Sequence, residues 1–226
     1  IIPPEKLYEI CKIARRILVS PHNVSRVIAR PFVGSPGFFT RTSNRRDFSV
    51  DPPKLTLLDR MKKAGLEVIG IGKIEDLFAG RGITSSIHIR DNMDGVDQMI
   101  NQIDNADTGI IFTNLVDFDT LYGHRNDPAG YAMALAEFDK RLPEITSCMR
   151  DQDILIISAD HGNDPTTPST DHSREYVPLL VYGKGIKAGV DLGVRKSFAD
   201  IGQTIAEVFK MEGIEEGESF WSSINL

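Results

Sequence analysis

Thr108-Gly-Ile-Ile-Phe-Thr-Asn-Leu-Val116, followed at once by Asp117-Phe-Asp119, is the stretch on which the fold turns. A near-continuous apolar run that ends in acids predicts a strand buried on both faces, with polar groups at its carboxyl end. Asp153-Ile-Leu-Ile-Ile-Ser158 repeats the pattern and leads into Asp160-His161. Glu67–Ile71 and Val177–Tyr182 are further apolar strands, and Ile83–Ile89 alternates as another. Helical patterns separate them: Leu55–Ala64 closed by Gly65, Met93–Ile103, Asp127–Met149 and Phe198–Phe209. Asp127 and Pro128 read as the N-cap and first residue of the longest helix. Strands alternating with helices predict a doubly wound, mainly parallel α/β sheet from about residue 54 onward.

The upstream residues follow another pattern. After Pro3-Pro4, a helix carries Leu7, Ile10, Cys11, Ala14, Ile17 and Leu18 on one face, and Val24–Ala29 reads as a strand. Gly34–Pro53, rich in Gly, Pro, Ser, Thr and Arg, is expected to be a long loop or linker. Residues 1 to about 48 thus look like a separate, incomplete α+β unit. From Pro21 to Arg46 there is no Asp or Glu, but there are five arginines: Arg26, Arg30, Arg41, Arg45 and Arg46. That stretch is either a pocket for a small anionic substrate or a solvated basic face. The net charge of −6 argues against a general nucleic-acid binder.

The 226 residues, 41% of them hydrophobic, suffice for one large domain or for a domain plus a smaller piece. No apolar stretch approaches the roughly 18–20 residues that span a bilayer. The first residue is Ile1 rather than Met, so a cut, processed or partial chain is expected. Cys11 and Cys148 sit in helix-like segments and read as reduced core residues, which suits the cytoplasm.

In open α/β sheets, ligands bind beyond the carboxyl ends of the strands. Asp119 and His124 follow one predicted strand, and Asp160 and His161 follow another. Asp171-His172 lies on a loop of about 15 residues that could fold back over that rim. Carboxylates with imidazoles and no thiolate suit Mn, Zn, Fe or Mg. Each element has a plainer reading as a turn or helix cap, and Asp160-His-Gly-Asn-Asp164 is good turn chemistry. Their conjunction on one rim favours a metal site. Five ligands exceed one open tetrahedral site, yet fall one short of three for each of two metals spaced for phosphoryl transfer. His22 and His88 have no such company and read as structural.

The run Asn114–Asp127, Ala159-Asp-His-Gly-Asn-Asp-Pro165 and Thr170–Pro178 resemble the metal motifs of bacterial phosphopentomutases, in sequence and in spacing. The arginine stretch from Arg26 to Phe48 is also similar to that family, and the resemblance runs the length of the chain. Asp-His-Gly-Asn alone would indicate only the alkaline phosphatase superfamily.

The resemblance implies an alkaline-phosphatase-like core, residues 49–226, preceded by the C-terminal part of an inserted α+β cap, residues 1–48. It implies transfer of phosphate between C5 and C1 of ribose or 2-deoxyribose, with two Mn²⁺, a phosphothreonine and a sugar bisphosphate activator. Carried onto this chain, Asp119, His124 and His172 would hold one metal, and Asp160 and His161 the other. Arg26, Arg41 and Lys73 would grip substrate phosphate. The sixth metal ligand and the nucleophilic threonine are expected upstream of Ile1, which would also leave a sheet edge or apolar surface open. Other readings are a cofactor-independent phosphoglycerate mutase, a phosphodiesterase, or a fragment that binds phosphosugars without turnover.

Overall fold

The computed structural model of the chain describes residues 2–42 and 44–226. Its centre is strand β5 (Glu67–Ile71), which pairs in parallel with β6 (Ser85–Ile87) on one side and β7 (Gly109–Thr113) on the other. β5 is apolar along its length because both of its faces are covered. Val68 packs with Leu57, Leu58 and Met61 of helix α2 (Leu57–Lys63) and with Ala206 of helix α6 (Ala199–Val208). Ile69 and Ile71 pack on the opposite side with Val96 and Met99 of α4 (Asn92–Asn105) and Ile145 of α5 (Pro128–Cys148). Full burial of such side chains stabilises the fold by roughly 1.5–3 kcal/mol each. The parallel sheet expected from the apolar runs is present, but double burial holds for β5 only: β7 (Gly109–Thr113) is half-buried, and the Leu155–Ile157 strand lies outside this sheet.

Local signals set the helix starts. Thr56 and Asp59 form a reciprocal capping box on α2. The Asp91 side chain accepts from the Asp94 amide at the start of α4, and Asp127 caps α5 with Pro128 in its first turn. Between β5 and β6 lies the short helix α3 (Ile74–Leu77). A second sheet pairs β8 (Leu155–Ile157) with β9 (Leu180–Tyr182) antiparallel, and α7 (Trp221–Ile224) closes the chain beneath it.

Among the described residues, β7 pairs only with β5, and β8 only with β9. One edge of β7 and one of β8 therefore carry no strand. A cavity of about 1750 Å³ is lined by both strands, with α4 and α5 on one side and α6 on the other. Ile110, Phe112, Leu155 and Ile157 line it.

The N-terminal residues correct one expectation. Helix α1 (Pro4–Ile17) and strand β1 (Arg26–Ala29) fall where the periodicity put them, but Gly34–Pro53 is not a structureless linker. β2 (Phe32–Ser35) and β3 (Phe38–Arg41) form a hairpin, and β4 (Arg46–Ser49) returns to pair antiparallel with β1. The Gly and Pro residues that suggested a long loop make one tight turn at Pro36-Gly37, where Gly37 has φ +88°. The Phe, Val and Thr residues on either side are ordinary strand formers. Helix α1 is less buried than its pattern implies: Cys11 is its one buried hydrophobic side chain among the described residues, and Ile10, Ile13 and Ile17 are exposed.

Candidate metal centre

The carboxyl ends of β7 and β8 meet at one rim. After β7 the chain runs through Asn114–Val116 to Asp117, whose carboxylate is buried and accepts from the Asn92 amide at 2.7 Å. The Asn92 side chain accepts from the Asp117 amide in return, at 2.9 Å. That reciprocal pair fixes the turn to the start of α4. A π-helical turn, Phe118–Tyr122, and a 3₁₀ turn, Gly123–Arg125, then carry Asp119 and His124. Such π segments are rare and cluster at functional sites.

After β8, the loop from Ala159 to Val177 folds back through a bridge between Gly162 and Ser173. The Asp164 amide donates to Ser173 Oγ at 2.7 Å, and the Asn126 side chain donates to the Thr167 carbonyl at 2.8 Å. A Cβ on Gly162 would lie 2.6 Å from the Glu175 nitrogen and from the Ser173 oxygen, so the return needs glycine. The fold-back delivers His172 to Asp119.

Asp119 is the hub. Its Oδ1 lies 3.2 Å from His172 Nε2, 3.4 Å from His124 Nε2 and 4.0 Å from His161 Nε2. Ligand atoms of Asp119, His124 and His172 all lie within 4.8 Å of one another. His161 stacks on His172 with ring centroids 3.6 Å apart. Asp160 is the outlying member, its side chain 62% exposed and Oδ1 3.8 Å from His161 Nε2. The five residues singled out from sequence thus share one rim, but three of them make the tight group. His22 and His88 do not join it.

The donor set fits a divalent cation. His124 Nδ1 donates to the Thr170 carbonyl at 2.6 Å, and His161 Nδ1 donates to the Gly162 carbonyl at 3.1 Å. In the neutral imidazoles, that leaves each Nε2 as a bare lone pair turned toward a carboxylate oxygen. Electron pairs brought face to face call for a cation between them. Two ligand atoms about 2.1 Å from one ion, at ordinary coordination angles, are about 3.0–3.4 Å apart. The separations of His172 and His124 from Asp119 match.

Asn163 lies within one of the metal-like motifs but is assigned no role by it. Its amide donates to Asp119 Oδ1 at 3.0 Å, and Gly123 is close enough that a Cβ there would strike the same amide. Tyr131 packs against Phe118 with ring centroids 5.6 Å apart. Burial, and then the Asp119 charge, raise its phenol above the ordinary tyrosine range.

The large cavity is continuous with the rim and is also lined by Arg26, Arg41 and Lys73. Lys73 stands at the carboxyl end of β5 as the N-cap of α3. Burial pushes its ammonium below the ordinary lysine range, Arg45 and Arg26 act in the same direction, and Asp119 and Asp47 oppose them. Arg26 donates to the buried Asp47 carboxylate at 3.5 Å, whereas Arg41 is exposed at the end of β3. Cys11 and Cys148 are both unpaired. No helix among the described residues is long and apolar enough to cross a membrane.

The model of the metalloenzyme superfamily matches residues 18–213. A phosphopentomutase of Clostridium kluyveri is 57% identical over 225 residues, covering all of this chain and 58% of its own length. One of Alkaliphilus metalliredigens is 60% identical over 215 residues, 95% of this chain and 55% of its own. One of Caldanaerobacter subterraneus subsp. tengcongensis is 58% identical over 226 residues, again 58% of its own length. The chain therefore spans a little over half the length of the curated relatives it matches.

Proposed function

Because this chain belongs to the metalloenzyme superfamily, we propose that it is the metal- and phosphate-binding part of a phosphopentomutase, interconverting ribose or 2-deoxyribose 1-phosphate and 5-phosphate in the cytoplasm. The observation that carries this is one cavity lined both by the Asp119 group and by Arg26, Arg41 and Lys73. A cation centre at one end and a set of cationic side chains at the other suit a pentose phosphate, with the phosphoryl group in transfer at the first and the phosphate not in transfer at the second. The names of relatives at 56–60% identity support the same reading over a phosphoglycerate mutase.

Asp119, His124 and His172 would hold one Mn²⁺, and Asp160 with His161 would contribute to a second. Bound there, the metals supply positive charge to phosphoryl oxygens. The chain's own residues bind and orient. Arg26, Arg41 and Lys73 hold the phosphate that is not in transfer. His124 and His161 keep their Nε2 lone pairs forward through the carbonyls behind them. In this reading residues 1–48 belong to a cap and residues 49–226 to the core. The unpaired edges of β7 and β8 support a core that takes at least one more strand. The nucleophilic threonine and sixth ligand would come from outside these 226 residues, and a sugar bisphosphate would act as activator.

The test is conversion of ribose 1-phosphate to ribose 5-phosphate by the full-length protein with Mn²⁺. Conversion without net release of phosphate is expected. Release of inorganic phosphate as sole product would overturn the mutase reading. The 226-residue chain alone is expected to bind Mn²⁺, with one tighter site visible by EPR, and to show no turnover. Robust turnover by it would overturn the placement of the nucleophile.

A further inference from the structure

The arginines nearest Lys73 are held in an arrangement that the phosphate-binding reading does not use. Asp47 is the first acid after the arginine-rich stretch, and it lies on β4, opposite Ile28 of β1. Its side chain is 3% exposed. Its two oxygens take a fork from Arg45: Nε donates to Oδ1 at 2.9 Å and Nη2 to Oδ2 at 3.0 Å. Arg26 reaches Oδ2 from the other side at 3.5 Å. A planar fork on a buried carboxylate fixes a guanidinium in orientation as well as in place.

Both arginines are only partly covered, at 35% and 38% side-chain exposure. Among the described residues, the side-chain bonds of Arg26 and Arg45 run to Asp47 alone, through Arg26 Nη1 and Arg45 Nε and Nη2. That leaves Arg45 Nη1 and Arg26 Nε and Nη2 without an acceptor, as is Lys73 Nζ. All three side chains line the cavity that reaches the Asp119 rim. Arg45 also lines a small recess with Arg46, Asp47, Lys73, Asp76 and His88. Cations packed this closely repel one another, and one buried carboxylate between two of them lowers that cost while leaving their outer donors free. Arg46 does not line the large cavity; its guanidinium lies over the rings of Tyr8 and Phe48 at 5.6 Å from each centroid.

We infer that Arg45 is a further phosphate-binding side chain, acting with Arg26 and Lys73, and that Asp47 is the positioning residue that aims both arginines into the cavity. This rests on the reading that the cavity receives a phosphorylated substrate, and it adds a residue and an anchor to it.

The experiment is titration of the 226-residue chain with inorganic phosphate and, separately, with ribose 5-phosphate, followed by calorimetry. Arg45→Ala is expected to weaken phosphate by about tenfold or more, as loss of a charge-assisted contact does. Arg46→Ala, at a residue that lines the small recess but not the large cavity, is expected to leave it within about twofold of wild type. Asp47→Asn is the sharper variant, because it makes the site more positive. If Asp47 acts only through charge, phosphate binds more tightly. If it positions the arginines, phosphate binds less tightly, and the loss shrinks when Arg45 is already alanine. Mn²⁺ binding at the Asp119 group serves as the check that each variant is folded; should Asp47→Asn fail it, Asp47→Glu replaces it, with the same expected direction.

Equal phosphate affinity in wild type and Arg45→Ala, tighter binding in the Asp47 variant, or no phosphate binding by wild type would each overturn the inference. Arg45-dependent binding of inorganic phosphate with no preference for ribose 5-phosphate would support it and count against the pentose reading alone.

Discussion

Two carboxylates, each surrounded by nitrogen, organise this molecule, and they do opposite things. Asp119 at the end of β7 faces the Nε2 atoms of His124, His161 and His172, with the nearest at 3.2 Å. Two of those rings give their other nitrogen to a backbone carbonyl, which aims Nε2 at the carboxylate. Asp47 on β4 faces Arg26 and Arg45, which bring permanent positive charge and more donors than one carboxylate can satisfy. The first cluster is completed by a cation and the second by an anion. Residues of both clusters line one cavity.

The sharpest way to break this comparison is to remove the first hub. Asp119→Ala takes away the one oxygen that all three histidines share. Mn²⁺ affinity, measured by EPR titration, is expected to fall by more than the roughly 100-fold that marks the upper end for groups behind the ligands. Retention of the tight site would mean that the histidines bind without the carboxylate, and the hub description would fail.

Asn163→Ala comes next. The side chain touches Asp119 at 3.0 Å and orients it. Loss of such a partner is expected to weaken Mn²⁺ by roughly 10–100-fold while leaving the melting curve nearly unchanged. A large drop in stability with unchanged metal affinity would make Asn163 a structural part of the loop instead.

The two hubs also differ in how far they could be read from sequence. Asp119 and its histidines follow apolar runs, and a parallel sheet sends the ends of such runs to one rim. β5, Glu67–Ile71, lies where its apolar pattern put it, because both faces are buried and no competing signal exists. Asp47 gave no such signal. It sits in a stretch whose Gly and Pro residues pointed to a linker, and its partners are set by antiparallel pairing of β4 with β1, a register that composition does not reveal. Asn163 was visible as a residue but not as a role, since Asn in a turn needs no further explanation. Asp160 lies outside the group of Asp119, His124 and His172 and nearest to His161, the residue with which its motif paired it.

A smaller effect tests the frame under the rim. Thr56→Ala removes the cap of α2, the helix that covers β5, and is expected to cost about 1 kcal/mol by chemical denaturation. Burial alone would raise the Asp59 carboxyl, but hydrogen bonds from Thr56 and the charge of Arg81 outweigh it and hold Asp59 below the ordinary aspartate range. A lowered folded pKa adds stability above the ordinary aspartate value, and that stability is lost as the pH falls through the lowered one. The acid limb of the stability profile should therefore flatten in Thr56→Ala. An unchanged limb would assign the shift to Arg81 and to the Thr56 backbone amide, which alanine keeps.

The smallest expected effect lies in the hairpin beside the second hub. Phe38 is 83% exposed at the start of β3, while Phe32 and Phe39 meet edge-on with centroids 4.9 Å apart. If order around Asp47 comes from the β1–β4 pairing and the arginine fork, the hairpin tip contributes little to it. Phe38→Ser should then shift stability by no more than about 0.5 kcal/mol, as exposed substitutions do, and leave phosphate affinity within twofold of wild type. A loss of helical signal from α1, or a loss of phosphate binding, would show that the exposed phenylalanine packs against something that holds the arginine cluster in place. The two hubs would then differ in a further respect: Asp119 would stand on a buried sheet, and Asp47 on a surface that must be covered before its arginines are aimed.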